Sequence, residues 1–139
     1  ERAGDRLRPR MAGAYFFVSG VGLIIAFVAF LLLIVCPFPF AWVLVFVGEF
    51  ALFFNTGPSN TILANVTPPA IRARAFAINI FIIHALGDAA SPYLIGLVAD
   101  RASMNAAFVM VSFLMLLGGL IWLGGMKYLA ADEAKVLAG

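Results

Sequence analysis

The chain has 139 residues, of which 64% are hydrophobic and 12% charged, with a mean hydropathy of +1.07. Soluble domains are about a quarter charged, and so few charges cannot cover a soluble core this apolar, so the composition sets an integral membrane protein. A net charge of +2 with no run of basic residues excludes a nucleic-acid footprint, and the single Cys36 excludes an intrachain disulfide and gives no metal pattern.

Residues 1–10 are polar and carry Arg2, Arg6, Arg8 and Arg10. The start, Glu1-Arg2-Ala3-Gly4-Asp5-Arg6, has no initiator Met and lacks the layout of a cleaved signal peptide. The chain is expected to begin inside a loop, as a piece of something longer. Span one follows over residues 11–36 with no charged residue, long enough as a helix to cross a bilayer with some tilt. Pro37 and Pro39 end it, because proline interrupts the helical hydrogen-bond ladder.

Span two covers residues 40–64 and carries Glu49, Asn55, Thr56, Gly57, Pro58 and Asn60. Gly57-Pro58 predicts a kink, tolerated at membrane depth only where the freed backbone groups face protein or a cavity. Glu49 and Asn60 are eleven residues apart, so an unbroken helix would place them on one face, and a kink would shift that register. A loop at residues 65–70 leads to Arg72 and Arg74. Its Asn65-Val66-Thr67 matches a glycosylation sequon, read as chance because proline follows it and it lies on the expected cytoplasmic side.

Span three, residues 71–99, carries Asn79, His84 and Asp88 and should kink at Pro92. His84 and Asp88 stand four residues apart, on one helical face. Span four, residues 106–129, has no charge before Lys127, and Gly118-Gly119 and Gly124-Gly125 offer sites of close helix packing. The tail, residues 130–139, is expected outside the membrane.

Arginine and lysine placement orients the spans. The N-terminal segment, the loop with Arg72 and Arg74, and the tail with Lys127 and Lys135 carry the basic residues, while the other two turns carry none and Arg101 alone. Both ends and the middle loop are therefore expected to be cytoplasmic. Spans two and three hold all the membrane-depth ionisable groups and amides. A polar face in lipid points inward, so these two should line an interior, and spans one and four should face lipid.

Several stretches resemble a known family. Asp5-Arg6-Leu7-Arg8-Pro9-Arg10 is similar to the end of the basic loop motif of major facilitator superfamily transporters, Gly…Asp-Arg…Arg-Arg. Gly57-Pro58-Ser59-Asn60-Thr61, Asn65-Val66-Thr67-Pro68-Pro69, Arg72-Ala73-Arg74-Ala75-Phe76-Ala77 and His84-Ala85-Leu86-Gly87-Asp88 with Ser91-Pro92 resemble the spinster family within that superfamily. The resemblance covers essentially the whole chain. It implies an all-α fold of polytopic transmembrane helices, with residues 1–139 forming the last four helices of twelve. It also implies a transporter of lipids or lysolipids, with the tenth and eleventh helices at the central cavity and the ninth and twelfth peripheral. Most of the expected proton-coupling machinery would lie in the helices outside this chain.

Glu49, Asn55, Asn60, Asn79, His84 and Asp88 are the candidate substrate or proton pathway, since ionisable groups within spans usually mark such paths. Each also has a structural reading: a protonated carboxyl for Glu49, interhelical hydrogen bonds for the amides, and a local i,i+4 bond for His84 and Asp88. Asp5, Arg6, Arg8, Arg10, Arg72 and Arg74 are the candidate topology and cytoplasmic-gate residues. Nothing points to an enzyme, a metal or a cofactor. His84, Asp88 and Ser91 lie too close on one helix to form a triad. The expected partners are the remainder of the transporter, the bilayer of a plasma or inner membrane, and a lipid-like or amphipathic solute carried by alternating access. The alternative is a complete four-helix membrane protein, either a dimeric exporter with Glu49 as its proton site or a scaffold subunit.

Overall fold

The computed structural model describes residues 2–9 and 11–138. Its elements are α1 (Arg2–Leu7), α2 (Ala14–Leu33), α3 (Ala41–Phe54), α4 (Thr56–Asn65), a 3-10 turn at Pro69–Ile71, α5 (Arg72–Ile82), a π turn at Ile83–Asp88, α6 (Ser91–Arg101), α7 (Met104–Gly125) and α8 (Leu129–Ala138). There is no strand among the described residues. Four stretches are long and apolar enough to cross a membrane: Ala14–Leu33, Ala41–Asn65, Pro69–Arg101 and Met104–Gly125. They correspond in order to spans one to four.

Both middle spans are interrupted, and proline accounts for both interruptions. In span two the break falls at Asn55, between α3 and α4. Pro58 has no N–H to give to the turn before it, so regular hydrogen bonding lapses upstream of the ring rather than at it. Ser59 N resumes the ladder on Asn55 O at 3.1 Å, and Thr61 Oγ1 donates to Gly57 O at 3.0 Å. Span three was expected to bend near Pro92. The disturbance instead lies upstream, as the π turn, and Pro92 sits in the first turn of α6 where a missing N–H is harmless. Its ring would crowd the carbonyl four residues earlier, that of Asp88. The ladder steps to wider spacing there: Ala89 N donates to His84 O at 3.0 Å.

Packing runs along an arc. Span one lies in the middle, with span two along one side and span four along another, and the α6 end of span three rests on span four. In hydrocarbon, helices gain little from hiding apolar surface from each other, so association depends on close contact at small residues. The α2 helix supplies them, with buried Ala14, Ser19, Gly20, Gly22, Ala26 and Ala29. Gly20 and Gly22 point to opposite sides, since two residues rotate a helix by about 200°. A Cβ on Gly20 would stand 2.7 Å from Leu123 Cγ and 2.9 Å from Gly119 O, while one on Gly22 would meet Ala51 O at 3.0 Å. Gly119 and Gly125 are close-packed as the sequence suggested, but Gly124 faces open space. Tilted ring pairs Phe16–Trp122 and Phe27–Phe113, with centroids 5.0 and 5.6 Å apart, extend the seam between spans one and four.

The expectation that span one simply faces lipid is therefore revised. It is the most enclosed helix of the four, and only one stripe, Ile25, Val28 and Leu32, stays exposed. Uniform apolarity made span one look peripheral, whereas its small residues allow neighbours on two sides. A compact core of Tyr15, Ile62 and Leu129, flanked by Phe16, Val66 and Trp122, closes one end of the bundle, where α8 docks. At the other turn Ser103 caps α7, accepting from Ala106 N at 3.1 Å.

In the full-length protein, Gly20→Val should lower the melting temperature in detergent, because overpacking costs about 1–3 kcal/mol. Gly124→Ala should leave it unchanged, and equal effects of the two would refute the close-approach seam.

Candidate functional site

Two groups of polar side chains stand out, one within the spans and one at the end of the bundle closed by α8. Within the spans, the two interruptions place the polar residues. Asn55 sits at the break between α3 and α4, and its Oδ1 is buried without a hydrogen-bond partner. Glu49 and Asn60 are exposed on span two. Glu49 lies on α3 away from Gly48 and Ala51, the residues buried there. On span three Asn79 is half-buried on α5, and the π turn presents His84 and Asp88. The His84 Nδ1 and Asp88 Oδ2 atoms are hydrogen-bonded, with side chains 66% and 68% exposed. The i,i+4 pairing expected from the sequence is thus present, on a wound-out turn rather than a regular helix.

The structure joins His84 to Asp88 but does not join Glu49, Asn60 or Asn79 to another side chain among the described residues. Their common property is position. Spans two and three form the two ends of the arc, meeting near the loop that connects them, and span three has no buried residue along its length. The main contact of span three with span four is made by α6, so α5 and the π turn stand clear of it. Bare ionisable groups on a membrane-crossing helix are costly against hydrocarbon and need protein or water beside them.

At the α8 end, three remote stretches of chain converge on one carboxylate. Glu133 of α8 accepts from Arg8 Nη2 at 3.0 Å and from Asn65 Nδ2 at 2.8 Å. Asp5 accepts from Tyr15 Oη at 2.6 Å, and the Arg8 guanidinium lies 5.7 Å from the centre of the Tyr15 ring. The Glu133 charge raises the Arg8 pKa above its ordinary value, against a smaller opposing effect of burial. Arg72 Nη2 donates to Thr67 O at 3.3 Å. Arg6 and Arg74 are exposed, and Arg10 lies outside the described residues. The N-terminal segment, the loop between spans two and three, and the tail thus share one end of the bundle, which is the grouping the basic residues implied.

Glu133 and Tyr15 were not singled out in the sequence. A contact across 125 residues leaves no local pattern, as in Arg8–Glu133. One signal was available: Leu129, which the sequence put at the end of span four and the structure puts at the start of α8, stands seven residues before Val136, a spacing that marks one face of a docked helix. Among the described residues no three His, Cys, Asp or Glu side chains converge as a metal site would require.

Four apolar crossings, with the charged side chains and His84 confined to the middle two, define a multi-pass integral membrane protein. The chain belongs to the spinster family. It is 36% identical over 108 residues to the sphingosine-1-phosphate transporter SPNS2 of Mus musculus, a match covering 68% of this chain and 20% of that protein. It is 34% identical over 107 residues to protein spinster homolog 1 of Homo sapiens, covering 68% and 20%. Protein spinster homolog 3 of Danio rerio matches 92% of the chain at 31% identity, covering 29% of its own length. The chain therefore spans between a fifth and a third of these curated relatives. No family model matches it. The relatives named for an activity are transporters and not enzymes.

Double-mutant cycles on melting temperature in the full-length protein should rank the two Glu133 contacts. The Asn65–Glu133 bond is partly buried and should couple by about 1.5 kcal/mol, as hydrogen bonds to charged groups do. The Arg8–Glu133 pair, with Arg8 47% exposed, should couple by only about 0.5 kcal/mol. The reverse order would contradict the placement of Glu133 beneath Asn65.

Proposed function

We propose that this chain supplies the last four helices of a spinster-type secondary transporter that moves a lipid-like or amphipathic solute by alternating access, coupled to protons. The observation that carries this reading is the exposed His84–Asp88 pair on the π turn of span three, with Glu49 also exposed on span two. Such groups persist in a membrane where they border a path for water, ions or substrate. The arc leaves spans two and three free to take partners from the remainder of the transporter, and the short share of the relatives that this chain covers supports that view.

In this reading His84 and Asp88 exchange a proton across their shared hydrogen bond, and Glu49 receives or releases one on the facing wall. Asn55, Asn60 and Asn79 offer donors and acceptors to a polar headgroup, while Phe46, Phe50 and Phe53 leave an exposed aromatic surface on span two suited to an acyl chain. Interrupted helices suit the task, because unwound turns at membrane depth line cavities. The π turn gives span three a place to flex as the passage opens to one side or the other. The cluster of Asp5, Arg8, Asn65 and Glu133 closes the cytoplasmic end, with both termini and the Arg72–Arg74 loop on that side. The sphingosine phosphate carried by one relative makes lysolipids the first solutes to try.

The test is uptake by the full-length protein in proteoliposomes under an imposed pH gradient, with a panel of lysolipids. Glu49→Gln, His84→Ala and Asp88→Asn should each reduce gradient-driven uptake by roughly 10²-fold, the scale of a lost proton-transfer group, without lowering expression. Normal transport by all three would make these groups structural and remove the reading.

A further inference from the structure

A polar cavity lies at the α8 end, between the tail helix and the loop joining spans two and three. It has a volume of about 270 Å³ and is lined by Arg8, Asn65, Arg72 and Glu133 on one side and by Val136 and Leu137 on another. The grooves beside span one, by contrast, are lined by apolar side chains.

We propose that this cavity binds the phosphate group of an anionic membrane phospholipid. Two arginines and one glutamate leave it with a net positive charge. Both Glu133 oxygens are already occupied, one by Arg8 and the other by Asn65, so the carboxylate is turned into the protein's own network. Arg72 has no carboxylate within ion-pair distance among the described residues. It gives one Nη2 hydrogen to Thr67 O, which steadies the guanidinium, and its Nε is buried with no partner. A guanidinium held by a backbone carbonyl, short of an anion and set beside a second arginine, matches a phosphate in charge and in hydrogen-bonding geometry.

The position selects a lipid over a soluble anion. Arg72 opens α5 and Asn65 closes α4, so the cavity sits where span two leaves the apolar stretch and span three enters it. Leu137 is 89% exposed next to the four polar side chains. An amphiphile places its headgroup on Arg72 and its glycerol and acyl chains along Val136 and Leu137. Basic pockets at the cytoplasmic ends of membrane helices hold anionic headgroups in this way. The site would tie α8 to the bilayer, and it does not depend on what the transporter carries.

The test is native mass spectrometry of the full-length protein in detergent, with dioleoylphosphatidylglycerol and dioleoylphosphatidylcholine offered in equal amounts. The wild type should retain phosphatidylglycerol in preference, and Arg72→Gln should lower that preference roughly tenfold, the weight of one charge-assisted pair. Arg72→Lys should keep part of it, and Arg101→Gln at the opposite end of span three should keep all of it. Because each preference is a ratio within one sample, partial loss of folded protein does not disturb it. Millimolar inorganic phosphate should fail to displace the lipid. Displacement would assign the cavity to a soluble anion and overturn the lipid proposal. Equal retention by wild type and Arg72→Gln, or no preference in the wild type, would overturn the site altogether.

Discussion

The structure depends on how closely span one can be approached. In hydrocarbon, van der Waals contact has to hold helices together, because the lipid tails are as apolar as the side chains. Gly20 and Gly22 let α7 and α3 come within backbone contact on opposite sides of α2. That fixes the order of the arc, with span two at one end and span three at the other. The uncovered surfaces of the middle spans, where Glu49, His84 and Asp88 sit, follow from that order. A bulkier residue on α2 would change the spacing of the arc before it touched any polar group.

The second constraint is backbone chemistry around the prolines. Pro58 removes a donor from a helix that has no water to replace it, and the ring of Pro92 crowds the carbonyl of Asp88 one turn earlier. Span two answers with a break at Asn55 and a Thr61 side chain bonded to Gly57 O. Span three answers with a π turn. Widening the helix by one residue per turn carries His84 and Asp88 on an irregular segment while keeping them in contact. A helix of regular pitch could also bring them together, but it would lack the loosened hydrogen bonding that allows a local change of shape. Fold and candidate site thus share a cause: the residue that disrupts the helix also shapes the turn that bears the ionisable pair.

Much of this was legible in the residues. Long apolar runs marked the four crossings, the His84–Asp88 spacing marked the pair, and the basic residues grouped both ends with the middle loop. Two things were not legible. Hydropathy could not separate a lipid-facing helix from a central one, because span one is apolar on every side and only its small residues distinguish its role. The Glu133 junction was invisible for another reason, since it joins three stretches that no periodicity links. The exact place of each interruption was also hidden: the prolines announced a disturbance, but local hydrogen bonding placed it upstream of both rings.

The spinster-family membership and the bare polar faces of spans two and three lead to one central claim, that these faces border a water-filled passage completed by helices outside this chain. Thiol accessibility measures it directly. In the full-length protein with Cys36→Ser, Glu49→Cys, His84→Cys and Asp88→Cys should react with a membrane-impermeant thiol reagent, while Leu114→Cys and Ile121→Cys on the exposed apolar side of span four should not. Protection of all five positions would place Glu49, His84 and Asp88 against hydrocarbon or sealed protein and contradict the account.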